Sequence, residues 1–302
     1  MSRATTLFAS SGFPQPVFLK MSGGGNDFAV FDDRERRIVD PVRLAVALTT
    51  RRLSVGADGI ILIRDSHEAS VKMEYYNADG SLADFCANGT RCAARFAYLY
   101  GMAEAQMTIE TGYAIVNAAV ERDRVILGVP SPTEYRERRP LRLADGSVVE
   151  GAYMMVGVPH YVLFVEDDLW ARDIDPLGRE IRRHRDLPHG ANVNFVRVAG
   201  RNRIEVRTWE RGVEGETMSC GSGVIASSSV AALMGKIEPP LEVLTRSGIV
   251  LTVRLRVEEE GVESINLMGD ARVIYRGELT EESASGFDPT WVRNPTAGRR
   301  GT

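Results

Sequence analysis

Short apolar or alternating segments recur along the chain, separated by turns rich in Gly, Asn and Asp. This pattern predicts strands at 17–21, 28–31, 59–63 and 71–76 in the first half, and at 161–165, 194–198 and 203–209 in the second. Apolar residues at helical spacing from Pro41 to Arg52 predict a surface helix. Strands and helices are mixed throughout, so the pattern indicates an α/β protein.

The segment from Ser222 to Met234 predicts an unusual helix. No charged residue occurs between Glu216 and Lys236. Because a helix without a charged face must be enclosed on most sides, we predict a central helix wrapped by curved sheet. Arg91 and Arg95 interrupt the corresponding helix of the first half, which is therefore predicted to be less fully buried.

Two similar segments carry these helices, and each opens with a cysteine. Cys86 and Cys220 are 134 residues apart, and so are Gly101 and Gly235, where the two helices are predicted to stop. The surrounding sequences, FCANG and SCGSG, are matched in small and polar residues. This repeat predicts two halves of similar size, each with one helix inside a sheet.

Length and composition bound the class of protein. A chain of 302 residues suits two domains, and 44% hydrophobic with 26% charged residues is ordinary for a globular protein. The net charge of −4 gives no general reason to bind nucleic acid, and no stretch approaches the ~20 apolar residues of a membrane span. Residues 1–16 lack the apolar core of a secretory signal, and three cysteines argue against a disulfide scaffold, so a cytoplasmic protein is expected.

Both cysteines stand where a helix begins, and this has chemical consequences. A helix start has unpaired N–H groups and the positive end of the dipole, which lower the pKa of a thiol from about 8.5 and can hold a carboxylate. If both helices point inward, one thiolate could remove the α-proton of an amino acid while the other thiol donates from the opposite face. The same N–H groups would stabilise the carbanion, so no cofactor is expected.

Other roles are open to a cysteine. A buried cysteine is commonly a small hydrophobic residue, and Cys92, whose counterpart in the second helix is Ala226, fits that role. A metal site is not expected, because there is no CxxC and the four histidines, at 67, 160, 184 and 189, lack ligand spacing. Cys86 and Cys220 therefore remain the candidate catalytic pair.

Several longer motifs occur along the chain: MSGGGNDF at 21–28, NADGS at 77–81, CANGTRC at 86–92, ERG at 210–212, ET at 216–217 and CGSG at 220–223. Together they resemble one enzyme family, diaminopimelate epimerase. The motifs follow the family's order, and the similarity runs from about residue 17 to 275. The resemblance implies a cofactor-independent epimerase that interconverts LL- and meso-diaminopimelate for lysine and peptidoglycan precursors.

The resemblance also implies an architecture and partners. We expect two pseudo-symmetric α/β domains, each a barrel-like mixed sheet around a central helix, with the active site in the interdomain cleft. The expected bounds are residues 1–128, joined by a returning segment at 272–302, and residues 129–271. The expected protein is a cytoplasmic homodimer that takes a small-molecule amino acid and neither nucleic acid nor membrane as partner.

By motif, the resemblance assigns the acid/base pair to Cys86 and Cys220. His160 and Glu210 are the implied groups that assist the two thiols. Arg211 suits the distant carboxylate, because its guanidinium forms a planar fork. The implied substrate-binding positions, at some of which only the backbone amide would act, are Asn26, Asn77, Ala87, Asn88, Asn192, Glu210, Arg211, Gly221 and Ser222.

These side chains also have structural interpretations. Arg211 could form a surface ion pair, and His160 could satisfy backbone groups of a turn. Glu210 could be an exposed carboxylate at a strand end. Asn26 and Asn77 lie in turns that favour Asn for backbone reasons alone.

Three positions depart from the family pattern. Gly59 stands where many members have Gln, Val158 where many have Asn, and Ala87 where Gly follows the first cysteine. The first two remove polar side chains that could touch substrate, so the reaction is better determined than the substrate. Ala87 is a mild change if only its N–H is used.

Three rival functions stay open. A two-thiol racemase of another amino acid, such as proline, hydroxyproline or histidine, would keep the chemistry and change the substrate. A redox protein would instead shuttle a disulfide between Cys86 and Cys220. A nucleotide-binding module would use the glycines at 23–25, but neither GxGxxG spacing nor a following GKS or GKT is present.

Overall fold

The computed structural model describes residues 16–259 and 261–284, so the segment 1–16, for which no secretory signal is expected, lies almost wholly outside it. The described residues form a mixed α/β fold, which confirms the predicted class. They divide into two compact units. The first comprises the described chain up to Val125 and again from Ala271, and the second runs from Ile126 to Asp270.

Strands dominate the described chain in both units. The first part contains β1 (Val17–Gly23), β2 (Asn26–Asp32), α1 (Pro41–Thr49), β3 (Gly59–Arg64), β4 (Val71–Asn77), β5 (Leu82–Ala83), α2 (Ala87–Leu99), β6 (Gln106–Glu110), β7 (Ile115–Glu121) and β8 (Arg124–Val129). Next come β9 (Thr133–Arg142), β10 (Val148–Val156), β11 (Val158–Phe164), α3 (Asp175–Arg182), β12 (Asn192–Gly200), β13 (Arg203–Glu210) and β14 (Gly215–Thr217). The chain continues with α4 (Gly221–Leu233), β15 (Leu241–Thr245), β16 (Val250–Glu258), β17 (Gly261–Asp270), β18 (Arg272–Glu278) and α5 (Glu281–Ala284). The seven predicted strands are confirmed, with ends that differ by up to three residues.

Strand pairing follows the same order within each unit. In the first, β1–β2 is antiparallel, β2–β3 parallel, β3–β4 antiparallel, β4–β6 parallel and β6–β7 antiparallel. In the second, β10–β11 is antiparallel, β11–β12 parallel, β12–β13 antiparallel, β13–β15 parallel and β15–β16 antiparallel. The chain returns to the first unit when β18 pairs antiparallel with β1. The sequence repeat is therefore a repeat of topology.

One helix packs against most strands of each unit. Helix α2 contacts β1, β2, β3, β4, β6 and β7, and α4 contacts β10, β11, β12, β13, β15, β16 and β17. All side chains of α4 from Gly223 to Ala231 are buried. The prediction of a helix enclosed on most sides is thus confirmed, and burial explains why this segment carries no charge.

Both central helices end in the same way. Gly101 and Gly235 have φ of 64° and 65°, a left-handed conformation that glycine adopts without steric cost. The N–H of the next residue bonds back to the carbonyl of Ala97 in the first helix and of Ala231 in the second. This is the Schellman arrangement, and it fixes both stops where the sequence predicts them.

The prediction that Arg91 leaves α2 less buried is wrong. Its side chain is fully buried, with an exposed fraction of 0%. The guanidinium folds back on the first turn of its own helix, where it donates to Oδ1 of Asn88 at 2.6 Å and to the carbonyl of Ala87 at 3.4 Å. Burial of this charge is tolerated because the group is hydrogen-bonded. Arg95 is partly buried and donates to the carbonyl of Ala271.

The structure gives a reason for Gly59, one of the departures from the family pattern. A Cβ at this position would lie 2.3 Å from Cε2 of Tyr75 and 2.4 Å from the carbonyl oxygen of Tyr76. The Tyr75 ring packs edge-on against Phe28, with ring centroids 5.5 Å apart, and cannot move away freely. The aromatic ring therefore occupies the space that a side chain at position 59 would need.

Gly59→Gln should therefore lower the free energy of unfolding by about 3 kcal/mol, because an added side chain overpacks a well-filled region. Urea unfolding monitored by fluorescence measures the change. Gly200→Ala is the matched control in a strand, since the nearest atom to its new Cβ would be 3.9 Å away, and it should change stability by less than ~1 kcal/mol. An unchanged midpoint for Gly59→Gln would show that the ring is not the constraint.

Candidate active site

Cys86 stands immediately before α2 and caps it. Its backbone is extended, with φ −145°, and its Sγ accepts the N–H of Gly89 at 3.4 Å. Ala87, another departure from the family pattern, has the helical backbone of a first helical residue, so its methyl group causes no strain. The thiol is thus held at the positive end of a 13-residue helix and is partly exposed.

Cys220 has the same place before α4. Its φ is −107°, and the helix begins at Gly221. The side chain is more buried than that of Cys86, with 7% of the residue exposed. Sγ lies 3.4 Å from the hydroxyl of Ser222 and 4.0 Å from Nδ2 of Asn192. Both predicted thiols therefore lie at helix starts, each within its own unit.

A chain of hydrogen bonds joins two of the predicted substrate residues of the first unit. Asn26 donates from Nδ2 to Oδ2 of Asp58 at 2.9 Å, and its Oδ1 accepts from Nδ2 of Asn88 at 2.8 Å. The Oδ1 of Asn88 in turn accepts from Arg91 at 2.6 Å. We call this chain the amide relay: Asp58, Asn26, Asn88 and Arg91. A carboxylate at one end and a guanidinium at the other fix the orientation of both amides.

A charged cluster supports the Asp58 end of the amide relay. Arg51 donates to Oδ1 of Asp27 at 2.6 Å and to Oδ1 of Asp58 at 3.0 Å, and Lys20 lies 2.7 Å from Asp27. Burial works to raise the pKa of Asp27, but the hydrogen bonds and charges of Arg51 and Lys20 outweigh it and lower that pKa. Asp27 is therefore ionised at neutral pH, and the cluster holds the start of β2 in place.

Asn77, another predicted substrate residue of the first unit, forms hydrogen bonds across a turn. It ends β4, and its Nδ2 donates to the hydroxyl of Ser81 at 3.0 Å and to the carbonyl of the same residue at 3.3 Å. The backbone N–H of Asn77 also bonds to that carbonyl. The turn interpretation of Asn77 is thus realised, and a role in substrate binding remains a proposal.

The predicted residues of the second unit cluster around Asn192. Its Oδ1 accepts the backbone N–H of Arg211 at 2.7 Å, while its Nδ2 faces Cys220. The guanidinium of Arg211 donates to the carbonyl of His189 at 2.9 Å, and no carboxylate of the described chain pairs with it. Arg211 is therefore not the surface ion pair of the structural interpretation. It stays available to a ligand's carboxylate.

Glu210 ends β13 beside the second thiol. Burial raises the pKa of its carboxyl group, and the neighbouring polar side chains of Thr217 and Cys220 only partly offset this. A carboxyl group with a raised pKa next to a thiol is suited to exchanging a proton with it. The group is not the freely exposed strand-end carboxylate of the structural interpretation.

His160 lies within strand β11 and is fully buried. Its backbone pairs with that of Asn192 across parallel strands, and its Nδ1 lies 3.2 Å from Nδ2 of Asn194. Burial lowers the pKa of His160 to about 3, and the charge of Arg211 acts in the same direction. The imidazole is therefore neutral at physiological pH.

This shift makes stability depend on pH. Since the pKa of His160 falls from 6.5 to about 3 on folding, the unfolded chain binds the extra proton between these pH values. The contribution is fully present above pH 6.5 and is lost as pH falls towards 3, at about 1.4 kcal/mol per pH unit. Urea unfolding of the wild type and His160→Gln at several pH values should show a shallower acid loss for the variant. Parallel curves would contradict the shift.

Sequence reasoning missed the groups that hold the site residues. Asp58 and Arg91 terminate the amide relay, Asn194 contacts His160, and Thr208 contacts Asn194. One signal was present: Asn192 and Asn194 are polar residues two positions apart in β12, so their side chains lie on the same face of the strand. Asp58 and Thr208 were not recognisable, because their partners Asn26 and Asn194 are distant along the chain.

The described residues offer neither a cluster of metal ligands nor a membrane-spanning helix. Within residues 16–259 and 261–284, no group of three or more His, Cys, Asp or Glu side chains could hold a metal ion. Over the same ranges, no helix is long and apolar enough to cross a membrane.

Comparison with known proteins decides the family. The model of the family described as diaminopimelate epimerase matches residues 18–130 and 152–274. A diaminopimelate epimerase from Aquifex aeolicus is 40% identical over 281 residues, covering 88% of this chain and 98% of the relative. One from Caldanaerobacter subterraneus subsp. tengcongensis is 36% identical over 282 residues, covering 87% and 98%. The chain belongs to the diaminopimelate epimerase family.

Solved structures extend the likeness of fold beyond the diaminopimelate epimerase family. A probable proline racemase from Agrobacterium radiobacter K84 superposes with a TM-score of 0.65 at 15% identity, covering 94% of this chain and 99% of that one. At that identity the likeness concerns the fold alone. The match to the family model confirms the resemblance that the motifs indicate.

Proposed function

We propose that this chain epimerises LL-diaminopimelate to meso-diaminopimelate with Cys86 and Cys220 as the two acid/base groups. The supporting observation is the matched pair of cysteine-capped helices in a member of the diaminopimelate epimerase family. The proposal requires both sulfurs to reach opposite faces of one α-carbon in the enzyme–substrate complex.

The two thiols would exchange roles in each turnover. One cysteine, as thiolate, takes the α-proton and becomes a thiol. The other gives its proton to the opposite face of the carbanion and becomes a thiolate, so the carbon is inverted and the number of protons is unchanged. The reverse reaction uses the same two groups in exchanged roles.

Backbone groups at the helix starts would stabilise the carbanion. Loss of the α-proton moves charge onto the neighbouring carboxylate, and N–H groups at Ala87, Asn88, Gly221 and Ser222 are suited to bind it. One well-placed donor of this kind contributes about 3 kcal/mol to transition-state stabilisation. Several donors from two helices therefore account for chemistry without an organic cofactor.

The remaining side chains would bind and assist. Glu210 would exchange a proton with Cys220, because its carboxyl group has a raised pKa and neighbours that thiol. Arg211 would bind the carboxylate at the far end of the substrate. Asn26, Asn77, Asn88 and Asn192 would complete the substrate contacts.

The cellular setting also belongs to the proposal. We place the enzyme in the reducing cytoplasm, in the formation of lysine and peptidoglycan precursors, because a chain of this length with three cysteines is not a disulfide scaffold. We also propose a homodimer, supported by the exposed apolar side chains of Val273, Ile274 and Tyr275 on β18. Sedimentation of the full chain tests this, and a monomer at micromolar concentration would contradict it.

Hydrogen exchange tests the reaction and the substrate together. Incubation with LL-diaminopimelate in heavy water should give meso product with deuterium at the inverted α-carbon, detected by NMR and mass spectrometry. L-Proline, trans-4-hydroxy-L-proline and L-histidine serve as controls under the same conditions. Exchange with one of these and none with diaminopimelate at saturating concentration would assign the chain to the rival racemase class.

Oxidation separates the proposal from a redox protein. Stoichiometric oxidation should inactivate the enzyme, and reduction by dithiothreitol should restore it, because a sulfur in a disulfide can neither take nor donate a proton. Activity that persists after complete oxidation of both thiols, or that requires it, would favour the redox function.

A further inference from the structure

The neighbours of Asn194 fix the orientation of its side-chain amide. Its Nδ2 lies 3.3 Å from the carbonyl oxygen of Tyr161 and 3.2 Å from Nδ1 of His160. Its Oδ1 accepts from the hydroxyl of Thr208 at 3.0 Å. Because a carbonyl oxygen only accepts hydrogen bonds, the amide atom beside Tyr161 must be the nitrogen.

The reverse orientation has a different consequence and a steric objection. An amide oxygen facing Nδ1 would accept a hydrogen bond from the ring and so favour a proton on Nδ1. That oxygen would then lie against the carbonyl oxygen of Tyr161, with no proton between them. Helix α4 also closes over this group, since a Cβ on Gly223 would lie 2.4 Å from Oδ1 of Asn194. The amide is therefore confined as well as oriented.

The orientation of Asn194 decides where the proton of His160 lies. An NH2 group donates and does not accept, so Nδ1 must present its lone pair to it. A neutral imidazole carries a single N–H, which must therefore be on Nε2. Nε2 is buried, and within the described chain no hydrogen-bond partner accepts from it.

We propose that Asn194 is a positioning residue that holds His160 as a neutral imidazole protonated on Nε2, so that His160 serves the reaction as a hydrogen-bond donor. This inference rests on the proposed function and deepens it. A ring in this state cannot take a proton from a thiol at Nε2. It donates instead to a group that is negative during turnover, either a thiolate sulfur or the substrate carboxylate.

The surroundings of the ring agree with a neutral state. On β10 the backbone partner of His160 is Met154, and on β12 it is Asn192, neither of which carries charge. Arg211, beyond the end of β13, is the positive charge that acts on the ring and opposes protonation. Of the titratable groups nearby, Cys220 faces Asn192 and Glu210 interacts with Cys220.

Nitrogen NMR of the full chain tests the tautomer directly. In uniformly 15N-labelled enzyme, two-bond proton–nitrogen correlations distinguish the two neutral tautomers and the imidazolium. The chain has four histidines, and loss of one spin system in His160→Gln assigns the signal. We expect a neutral His160 with a protonated Nε2 from about pH 5 to pH 8, where an ordinary histidine titrates. A protonated Nδ1, or an imidazolium at neutral pH, would overturn the proposal.

Substitution of Asn194 tests whether the tautomer matters to the reaction. Asn194→Asp offers Nδ1 an acceptor, so the proton should move to Nδ1 or the ring should become charged. The value of kcat/KM should fall at least about tenfold, and its pH profile should gain an ionisation, since a wrong histidine tautomer is costly in catalysis. Thr208→Val is the control: it removes the bond to Oδ1 and leaves both contacts of Nδ2, so the wild-type His160 spectrum should persist.

The outcomes separate this inference from the proposed function. The NMR experiment needs no substrate, so a wild-type chain without exchange on diaminopimelate would reject the function and leave the tautomer assignment standing. If Asn194→Asp changes the spectrum but not the pH profile, His160 does not act through its tautomer and the positioning role is rejected.

Discussion

Cys86→Ser and Cys220→Ser, made separately, should each lower kcat/KM for epimerisation by about 10²- to 10⁴-fold. A hydroxyl group is far less acidic than a thiol, so the proton transfer on that face of the substrate loses its catalyst. The assay is deuterium incorporation into meso-diaminopimelate at matched enzyme concentration. Loss in only one of the two variants would contradict a two-base mechanism.

A second reaction distinguishes a missing base from a damaged protein. Elimination of halide from a halogenated diaminopimelate needs one base, so each serine variant should still catalyse it with one configuration of the analogue. Cys92→Ala is the matched control, since Cys92 is buried inside α2 and lies outside the proposed machinery. It should keep its epimerase activity and lose about 1 kcal/mol or somewhat more of stability.

Gly223→Ala should reduce both stability and activity, whereas the same change at Gly89 should do neither. The two glycines are third in their helices, 134 residues apart. A Cβ at Gly223 would lie 2.4 Å from Oδ1 of Asn194 and 3.0 Å from Oγ1 of Thr208, which are bonded to each other and confined. We expect a loss of about 2 kcal/mol and of about 10²-fold in kcat/KM, because the His160 support must shift.

At Gly89 the new methyl group meets softer neighbours. The nearest atoms would be Cε of Met73 at 3.1 Å and Cδ1 of Ile61 at 3.2 Å, both ends of flexible side chains. Ala also favours a helix over Gly by about 1 kcal/mol, which offsets the crowding. Urea unfolding and kcat/KM of the pair test the contrast. Equal losses of stability and kcat/KM in the two variants would show that crowding of Asn194 and Thr208 is not the cause of the Gly223→Ala effect.

Much of the fold follows from local patterns. The uncharged helix, the alternating strands and the two glycine stops are encoded within short segments, and the 134-residue repeat carries them from one unit to the next. Helix α3 and the pairing of β9 with β10 escaped prediction. Strand β9 is largely exposed and rich in Arg and Glu, so it lacks the alternation that marks a half-buried strand.

The site was predictable where a motif carries the chemistry and not where a distant partner does. Cys86 and Cys220 are marked by their matched contexts. Arg91 was misjudged, because its charge suggested exposure while its guanidinium finds acceptors one turn earlier in the same helix. Asn194 could not be placed beside His160 from sequence, since parallel pairing of β11 with β12 brings together residues 34 positions apart.

The amide relay has a consequence for ligand selectivity. The side-chain amide of Asn has a carbonyl oxygen that accepts hydrogen bonds and an amino group that donates them, so an amide that can rotate adapts to either kind of ligand group. In Asn26 and Asn88 the relay engages both the amino group and the carbonyl oxygen of the same amide, so neither amide can turn over without losing two hydrogen bonds. This part of the first unit should thus present amide groups of fixed orientation to a ligand, and a ligand with the opposite order of donors and acceptors should bind less well.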